Sequence, residues 1–256
     1  MALARAHGLQ LMPAVYAGLG LVVWGIYLVD RIMDARSWKA GSPWTARHAF
    51  CARHSAALRW FLLPALGVVV AWLALFQVPE TLLWHALMIA ALVAGYLGWH
   101  VLRNPPANSE EREASKGLLA SALFALGVCA GVYAHEFRYP GWAMMAGQGL
   151  LTGLFATNLF GLACVEREKV GVLGRRTRVS YDVMRIATLM VAVGAWLPGI
   201  EVVWPLRLLS VAVMAGVVMM SLIHVKRKQL SEIAYRCLVD AALIVAALVL
   251  IGLANG

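Results

Sequence analysis

The sequence predicts an all-α integral membrane protein with about eight transmembrane helices. Hydrophobic residues make up 62% of the 256 and charged residues only 14%, roughly half the charged share of a typical soluble domain. The apolar residues are gathered into stretches of about twenty, the length that a helix needs to cross a hydrocarbon core about 30 Å thick. The basic residues are concentrated in alternate connections, as expected when those connections lie on one side of a membrane.

The predicted spans follow the apolar stretches in chain order: 9–34, 56–77, 80–102, 116–136, 140–165, 181–199, 203–224 and 232–254. The first apolar run has no small-residue cleavage site, so we interpret it as a spanning helix and not as a signal peptide. Proline is tolerated in the first turn of a helix, and it stands at or near three predicted starts: Pro79, Pro140 and Pro205. Ser180 is predicted to cap the sixth span. We interpret residues 1–256 as one membrane domain.

The distribution of Lys and Arg predicts the orientation of the spans. Of the 22 basic residues, nineteen lie in the connections 31–59, 103–116, 167–185 and 226–236. Only Arg5, Arg138 and Arg207 fall on the opposite side. The positive-inside rule then places the four basic segments in the cytoplasm and both termini outside, with the chain in the inner (cytoplasmic) membrane. The net charge of +9 is therefore explained by topology and does not indicate nucleic-acid binding.

The first acidic cluster is at the end of the first span. Asp30 and Asp34 are four residues apart, so both project from one face of a helix. Two carboxylates on adjacent turns repel each other unless a cation lies between them, and Mg²⁺ takes oxygen ligands that it shares with substrate phosphates. The alternative is an interfacial helix end in which the two carboxylates pair with Arg31 and Arg36.

The second acidic cluster, Glu166 and Glu168, follows the fifth span. The alternation of the spans places it at the same membrane depth as the first cluster. Carboxylates ringed by basic loops at a membrane interface suit a diphosphate with a lipid tail, because Arg and Lys bind phosphate oxygens and Mg²⁺ offsets their charge. A solvated charged loop is the alternative. The basic residues near the two clusters are Arg47, Arg53, Arg167, Lys169, Arg175, Arg176 and Arg178.

These motifs resemble those of the UbiA superfamily of intramembrane prenyltransferases. Asp30-Arg31-x-x-Asp34, followed by Ser42-Pro43-Trp44-Thr45, is similar to the first signature of that family, Asn-Arg-x-x-Asp-x-x-x-Asp and then Asn-Pro-Arg-Thr. Glu166-Arg167-Glu168-x-Val170-x-x-x-Gly174-x-x-Thr177 is similar to the second, Asp-Arg-Asp/Glu-x-Asp-x-x-x-Gly-x-x-Ser/Thr. The family has nine spans, with its motifs at the ends of the second and sixth. Removing the first family helix reproduces the span count and motif positions seen here, so the resemblance covers essentially the whole chain.

The resemblance implies a UbiA-like bundle and a set of site residues. Four carboxylates would hold Mg²⁺ and act in catalysis: Asp30, Asp34, Glu166 and Glu168. Seven residues would bind substrate: Tyr27, Arg31, Arg47, Asn158, Arg167, Lys169 and Arg176. Trp38 and Val170 stand where the family has aspartates, and Asn158 stands near the position of a further one. The remaining carboxylates are enough for one Mg²⁺ on a diphosphate.

Two functions follow from this resemblance. The first is Mg²⁺-dependent transfer of a prenyl group from a polyprenyl diphosphate to a lipid-soluble or aromatic acceptor. The alternative is a UbiA-fold protein without turnover that binds an isoprenoid, another lipid or a membrane protein partner. A transporter or channel is less consistent with the sequence, because there is no broken-helix repeat and few charges lie in mid-membrane.

Two further patterns predict packing within the membrane. Asp240 is costly in hydrocarbon, and Arg236, one turn earlier, is its predicted partner in a structural pair; a functional site at Asp240 is the alternative. Gly149 and Gly153 form a Gly-x-x-x-Gly pattern, which predicts close approach of a neighbouring helix.

Overall fold

The computed structural model describes residues 3–4, 7–36, 46–102, 110–134, 141–169, 171, 173–197 and 203–255, without the side chains of 31, 34–36, 46–48, 100–102 and 110–114. All regular structure in these ranges is helical, which confirms the predicted all-α class. The chain divides into two compact units. The first contains Met1–Gln10 and Glu110–Gly256, and the second contains Leu11–Ser109.

Nine helices of eight residues or more lie in the described part of the chain. We number them α1 to α9: Pro13–Arg36, Ala46–Arg53, Ser55–Gln77, Glu80–Leu102, Glu110–Tyr133, Gly141–Lys169, Arg175–Gly194, Trp204–Val225 and Glu232–Asn255. Of these, α1, α3, α4, α5, α6, α8 and α9 are the seven that are long and apolar enough to cross a membrane. The protein is therefore an all-α membrane bundle. Pro79 and Pro205 stand at helix starts as predicted, whereas Pro140 lies outside the described residues.

The largest differences from the predicted starts are at α5 and α7, which each begin six residues early, and the α6–α7 connection differs from the prediction on both sides. Helix α6 continues to Lys169, four residues beyond the predicted end, so Glu166 and Glu168 lie on its last turn and not in a loop. Helix α7 begins at Arg175, six residues before the predicted start. Ser180 is inside α7 and does not cap it; the residue at the N-cap position is Gly174. The hydropathy pattern placed the boundary of each predicted span where charged residues begin. A helix continues through charged residues when its backbone hydrogen bonds are kept and neighbouring side chains pair with the charges.

Helix α7 is long enough to cross a membrane, but unlike the other seven it has no 18-residue stretch with two or fewer charged residues. Every 18-residue stretch within it contains at least Arg178, Asp182 and Arg185. These three residues lie in its first eleven positions, and the rest of the helix is almost entirely apolar. The sixth predicted span therefore corresponds to a helix with one charged end.

Packing within the first unit supports α7 as a return crossing. Near one end of the pair, the Cys164 thiol of α6 donates to the Thr177 carbonyl of α7 at 3.5 Å. Eleven residues back along α6, Gly153 faces Thr188, which is eleven residues onward in α7. The two helices are therefore antiparallel over their shared length.

Helix α8 runs in the same direction as α6. Gly147 of α6 lies beside Leu209 near the start of α8, and Gly216 further along α8 lies beside Leu154 of α6. A chain that crosses twice in one direction must return between the two crossings, and α7 is the helix between them. The geometry is consistent with the predicted total of about eight crossings.

Helix α6 is the centre of the first unit, with buried residues along its length from Ala143 to Val165. Gly153 is part of this packing, because an added Cβ there would overlap the buried side chain of Thr188. Gly149 has no neighbouring atom within 4 Å of such a Cβ. The Gly-x-x-x-Gly prediction therefore holds at Gly153 but not at Gly149.

The second unit has a smaller hydrophobic core than the first. Ile32, Cys51 and Leu58 form a buried cluster that joins α1, α2 and α3. Helix α3 contains a π-helical turn over Leu58–Leu62, which ends two residues before Pro64. Proline has no N–H to donate and its ring crowds the preceding turn, so the wider turn accommodates it without ending the helix.

Candidate functional site

The second acidic cluster is held by one arginine from the connection between α8 and α9 and by another from the start of α9. Glu168 Oε2 accepts from Arg227 Nε at 2.7 Å. Glu166 pairs with Arg236, near the start of α9, and Arg236 Nε also donates to Glu232 at 3.3 Å. Each of the two predicted ligand carboxylates on α6 therefore has a different arginine as its partner.

Hydrogen bonds from side chains to main-chain carbonyl groups also join α6 to this connection and stabilise the end of α8. Lys169 Nζ donates to the carbonyl oxygen of Leu230 at 2.9 Å. Arg227 Nη1 also donates to the His224 carbonyl at 3.2 Å, where α8 is about to end. Carbonyl groups in the last turn of a helix have no partner within the helix. Arg227 therefore stabilises the end of α8 and the acidic end of α6 together.

The ion pairs are partly open to solvent. Side-chain exposure is 25% for Arg227 and 26% for Glu168, and 17% for Arg236, 24% for Glu166 and 28% for Glu232. Groups at this exposure keep part of their hydration, so the pairs are weaker than fully buried ones. An incoming charged ligand can also reach them without first unfolding the helix ends.

A buried aromatic cluster lies next to the ion pairs. Tyr235 Oη and His224 Nδ1 are 2.9 Å apart, and the ring centroids of His224 and Tyr181 are 4.2 Å apart. Gly161 provides the space, because a Cβ there would lie 2.9 Å from Tyr235 Oη and 3.2 Å from Tyr181 Cε2. Sequence patterns did not indicate this cluster, since its members come from four helices.

The predicted pairing of Asp240 with Arg236 is replaced by other contacts. Arg236 binds Glu166 and Glu232, whereas Asp240 Oδ1 accepts from Asn158 Nδ2 at 3.4 Å. The prediction considered only neighbours on the same helix. Helix packing places the Glu166 carboxylate of α6 against Arg236. The Arg236 guanidinium therefore pairs with Glu166, which is distant in sequence, and not with Asp240.

The first acidic cluster belongs to the second unit. Helix α1 is continuous over Pro13–Arg36, so Asp30 and Asp34 are one turn apart, as predicted. Asp30 is partly buried and Tyr27 is 39% exposed. The side chains of Arg31, Asp34 and Arg47 and all of Trp38 and Val170 lie outside the described part of the structure. The meeting of the two acidic clusters stays a prediction.

The other predicted binding residues are on α6 and α7. Asn158 is buried, with 5% exposure, and Arg167 is partly buried on the last turn of α6. Lys169 and Arg176 are exposed beside the α6–α7 connection. Lys169 reaches the α8–α9 connection, whereas Asn158 reaches Asp240, two turns further from the charged end of α6.

Arg227 and Arg236 were not among the predicted site residues. The signal for them was present, because the basic segments 167–185 and 226–236 were predicted to lie on the same side of the membrane. That prediction places the arginines at the depth of Glu166 and Glu168 but does not say which pairs form.

Comparison of the chain with protein-family models, with curated proteins and with solved structures finds no match.

Arg236→Gln is expected to destabilise the protein by about 2 kcal/mol, the range for a lost hydrogen bond to a charged group. The substitution leaves Glu166 and Glu232 without their shared guanidinium, so the two carboxylates repel. Thermal unfolding of the detergent-solubilised chain measures the loss. Adding Glu232→Gln should restore part of it, and a double variant no more stable than Arg236→Gln would contradict the shared-cation account.

Proposed function

We propose that this protein is a membrane-embedded, Mg²⁺-dependent prenyltransferase of UbiA type. It would transfer a prenyl group from a polyprenyl diphosphate to a lipid-soluble or aromatic acceptor at the cytoplasmic face of the inner membrane. The observation that carries the proposal is the pairing of Glu166 and Glu168, two of the implied metal ligands, with arginines at one end of the bundle. The motif resemblance supplies the reaction class.

The charges of this cluster suit a metal–diphosphate ligand. Carboxylates are the ligands that Mg²⁺ takes, and guanidinium groups bind phosphate oxygens in bidentate fashion. A Mg²⁺–diphosphate ligand carries both positive and negative charge. When it separates an ion pair, the carboxylate and the arginine therefore each gain a new partner of opposite charge. Glu166 and Glu168 would turn to the cation, while Arg227 and Arg236 would turn to the phosphate oxygens. Their exposure of about a quarter or less leaves room for this exchange at low cost.

The motif resemblance implies that Asp30, Asp34, Glu166 and Glu168 would hold the Mg²⁺, and their carboxylate oxygens are of the hard type that this ion prefers. When bound, Mg²⁺ supplies charge stabilisation for the diphosphate leaving group. The arginines would hold the diphosphate in place, and the apolar helices would keep water from the prenyl chain. Tyr27 would present its ring face to the allylic cation that forms as the carbon–oxygen bond breaks.

A second candidate is supported by the same ion pairs. A protein without turnover would use Arg227 and Arg236 to hold α6 permanently against the α8–α9 connection and the start of α9. It would bind an isoprenoid, another lipid or a membrane partner through its apolar surface. The substitution of Trp38 and Val170 for family aspartates favours this candidate. The two functions differ in whether Mg²⁺ is needed for binding.

Equilibrium binding of labelled farnesyl and geranylgeranyl diphosphate to the detergent-purified chain tests the proposal. We expect binding with Mg²⁺ present and none with EDTA, and weaker binding of the matching monophosphates. Prenyl transfer to a panel of phenolic and lipid-alcohol acceptors would then be measured. Binding that is equal with and without Mg²⁺ would favour the second candidate, and absence of any binding would reject the transferase.

A further inference from the structure

Asn158 of α6 and Asp240 of α9 form a polar contact between two helices of the first unit. Asn158 is 5% exposed, and its Nδ2 donates to Asp240 Oδ1 at 3.4 Å, a long hydrogen bond. This amide orientation is the chemically sensible one, because a carboxylate can only accept. The other amide atom, Asn158 Oδ1, is buried without a hydrogen-bond partner among the described residues. Buried amide oxygens normally have a partner, so this one indicates a missing donor.

Asp240 is also poorly satisfied for its position. It follows Glu232, the first residue of α9, by eight residues, which is about 12 Å of helix. Carboxylates at such depth in a membrane are costly and mark functional sites. Arg236, the nearest cation along the helix, is engaged by Glu166 and Glu232. The Asp240 side chain is exposed on the surface of its helix, so a molecule from the membrane can reach it.

The two groups together define the chemistry of the missing ligand. Both present acceptor oxygens, so the ligand must supply a hydrogen-bond donor and cannot be an anion. A divalent metal ion needs about six oxygen ligands, and this pair supplies too few. A neutral hydroxyl group meets the requirement, because it donates to an oxygen and its lipid body remains in hydrocarbon.

We propose that Asp240 and Asn158 bind the hydroxyl group of a lipid-soluble alcohol or phenol. Asn158 precedes Glu166 by eight residues on α6, so the hydroxyl would lie about 12 Å deeper in the membrane than the charged end of that helix. If the proposed prenyl transfer is correct, on which this part of the inference rests, the hydroxyl belongs to the acceptor and anchors it, and another atom of the acceptor, nearer to the diphosphate, takes the prenyl group. The acceptor would then enter from the membrane, and the diphosphate would bind at the cytoplasmic end.

Thermal unfolding of the detergent-purified full chain with two hydroxyl probes tests the proposal. Geranylgeraniol represents lipid alcohols and 4-phenylphenol represents phenols, and their methyl ethers, which cannot donate, are the controls. We expect at least one hydroxyl probe to raise the unfolding temperature and its ether to have no effect. Equal shifts with ether and alcohol, or no shift with either hydroxyl probe, would overturn the proposal.

Variants locate the effect. Asp240→Leu and Asn158→Leu should abolish the shift, whereas Cys237→Leu, which places the same side chain at an exposed position of α9, should keep it. Asp240→Leu removes a charge from the membrane, so the protein without probe should be no less stable than the wild type. If either leucine variant does not fold, Asp240→Asn keeps the size and weakens the acceptor, so the shift should fall about twofold. A full shift in a folded Asp240 variant would contradict the site.

The same preparations separate this inference from the proposed function. Hydroxyl-dependent stabilisation without Mg²⁺-dependent diphosphate binding would reject the transferase and leave a binding site for lipid alcohols. Diphosphate binding without any hydroxyl effect would support the transferase and reject the role of Asp240 and Asn158.

Discussion

Asp34→Ala is expected to abolish the Mg²⁺-dependent binding of polyprenyl diphosphate. Asp34 and Asp30 lie one turn apart on α1, where the motif resemblance implies that both bind the metal. Loss of a shared Mg²⁺ ligand removes several kcal/mol of charge stabilisation, and each 1.4 kcal/mol is about a tenfold change in affinity. Binding should therefore fall by more than about 100-fold in an equilibrium assay with labelled geranylgeranyl diphosphate.

Asp182→Ala is the matched control for this experiment. Asp182 is another carboxylate near a charged helix end, but it is exposed and pairs with Arg185 on its own helix. Its removal should leave diphosphate binding unchanged. An Asp34→Ala variant that binds as the wild type does would reject the proposed metal site. If the wild type binds the diphosphate in a Mg²⁺-dependent way but transfers the prenyl group slowly, Trp38→Asp and Val170→Asp would restore the family aspartates. These substitutions should then raise the rate of prenyl transfer.

A C-terminal alkaline phosphatase fusion is expected to be active, and a C-terminal green fluorescent fusion dark. Both results follow from eight crossings with the basic connections in the cytoplasm. The antiparallel packing of α7 on α6 supports the even count, although α7 carries five charged residues in its first eleven positions. A total of seven crossings would place the two termini on opposite sides.

Fusions within the α8–α9 connection are the control for orientation. Reporters inserted after Lys228 should show the reverse pattern, with fluorescence and no phosphatase activity. The same signal from Lys228 and from the C-terminus would mean that α9 does not cross. An inverted pattern at both sites would place Glu166, Glu168 and their arginines outside the cytoplasm, where the proposed site is not expected.

The class of protein and most helix positions were predictable because they depend on local composition. A run of about twenty apolar residues needs no distant partner to prefer the membrane. Six of the predicted spans begin and end within about four residues of the corresponding helices. The end of α6 and the start of α7 were less predictable. Hydropathy places a boundary where charges begin, but the helix at Glu166 continues because arginines from elsewhere in the chain neutralise its last turn.

Partner choice in the polar site was decided by tertiary structure. The sequence by itself determined that Glu166, Glu168 and the arginines of 226–236 lie at one side of the membrane, because charge distribution sets topology. It did not determine that Arg236 would bind Glu166 instead of Asp240, since spacing along one helix favours Asp240. The choice depends on the register between α6 and α9, which packing at Gly161 and its neighbours sets. That register also brings Asp240 to Asn158, and so creates a polar pair that neither helix contains alone.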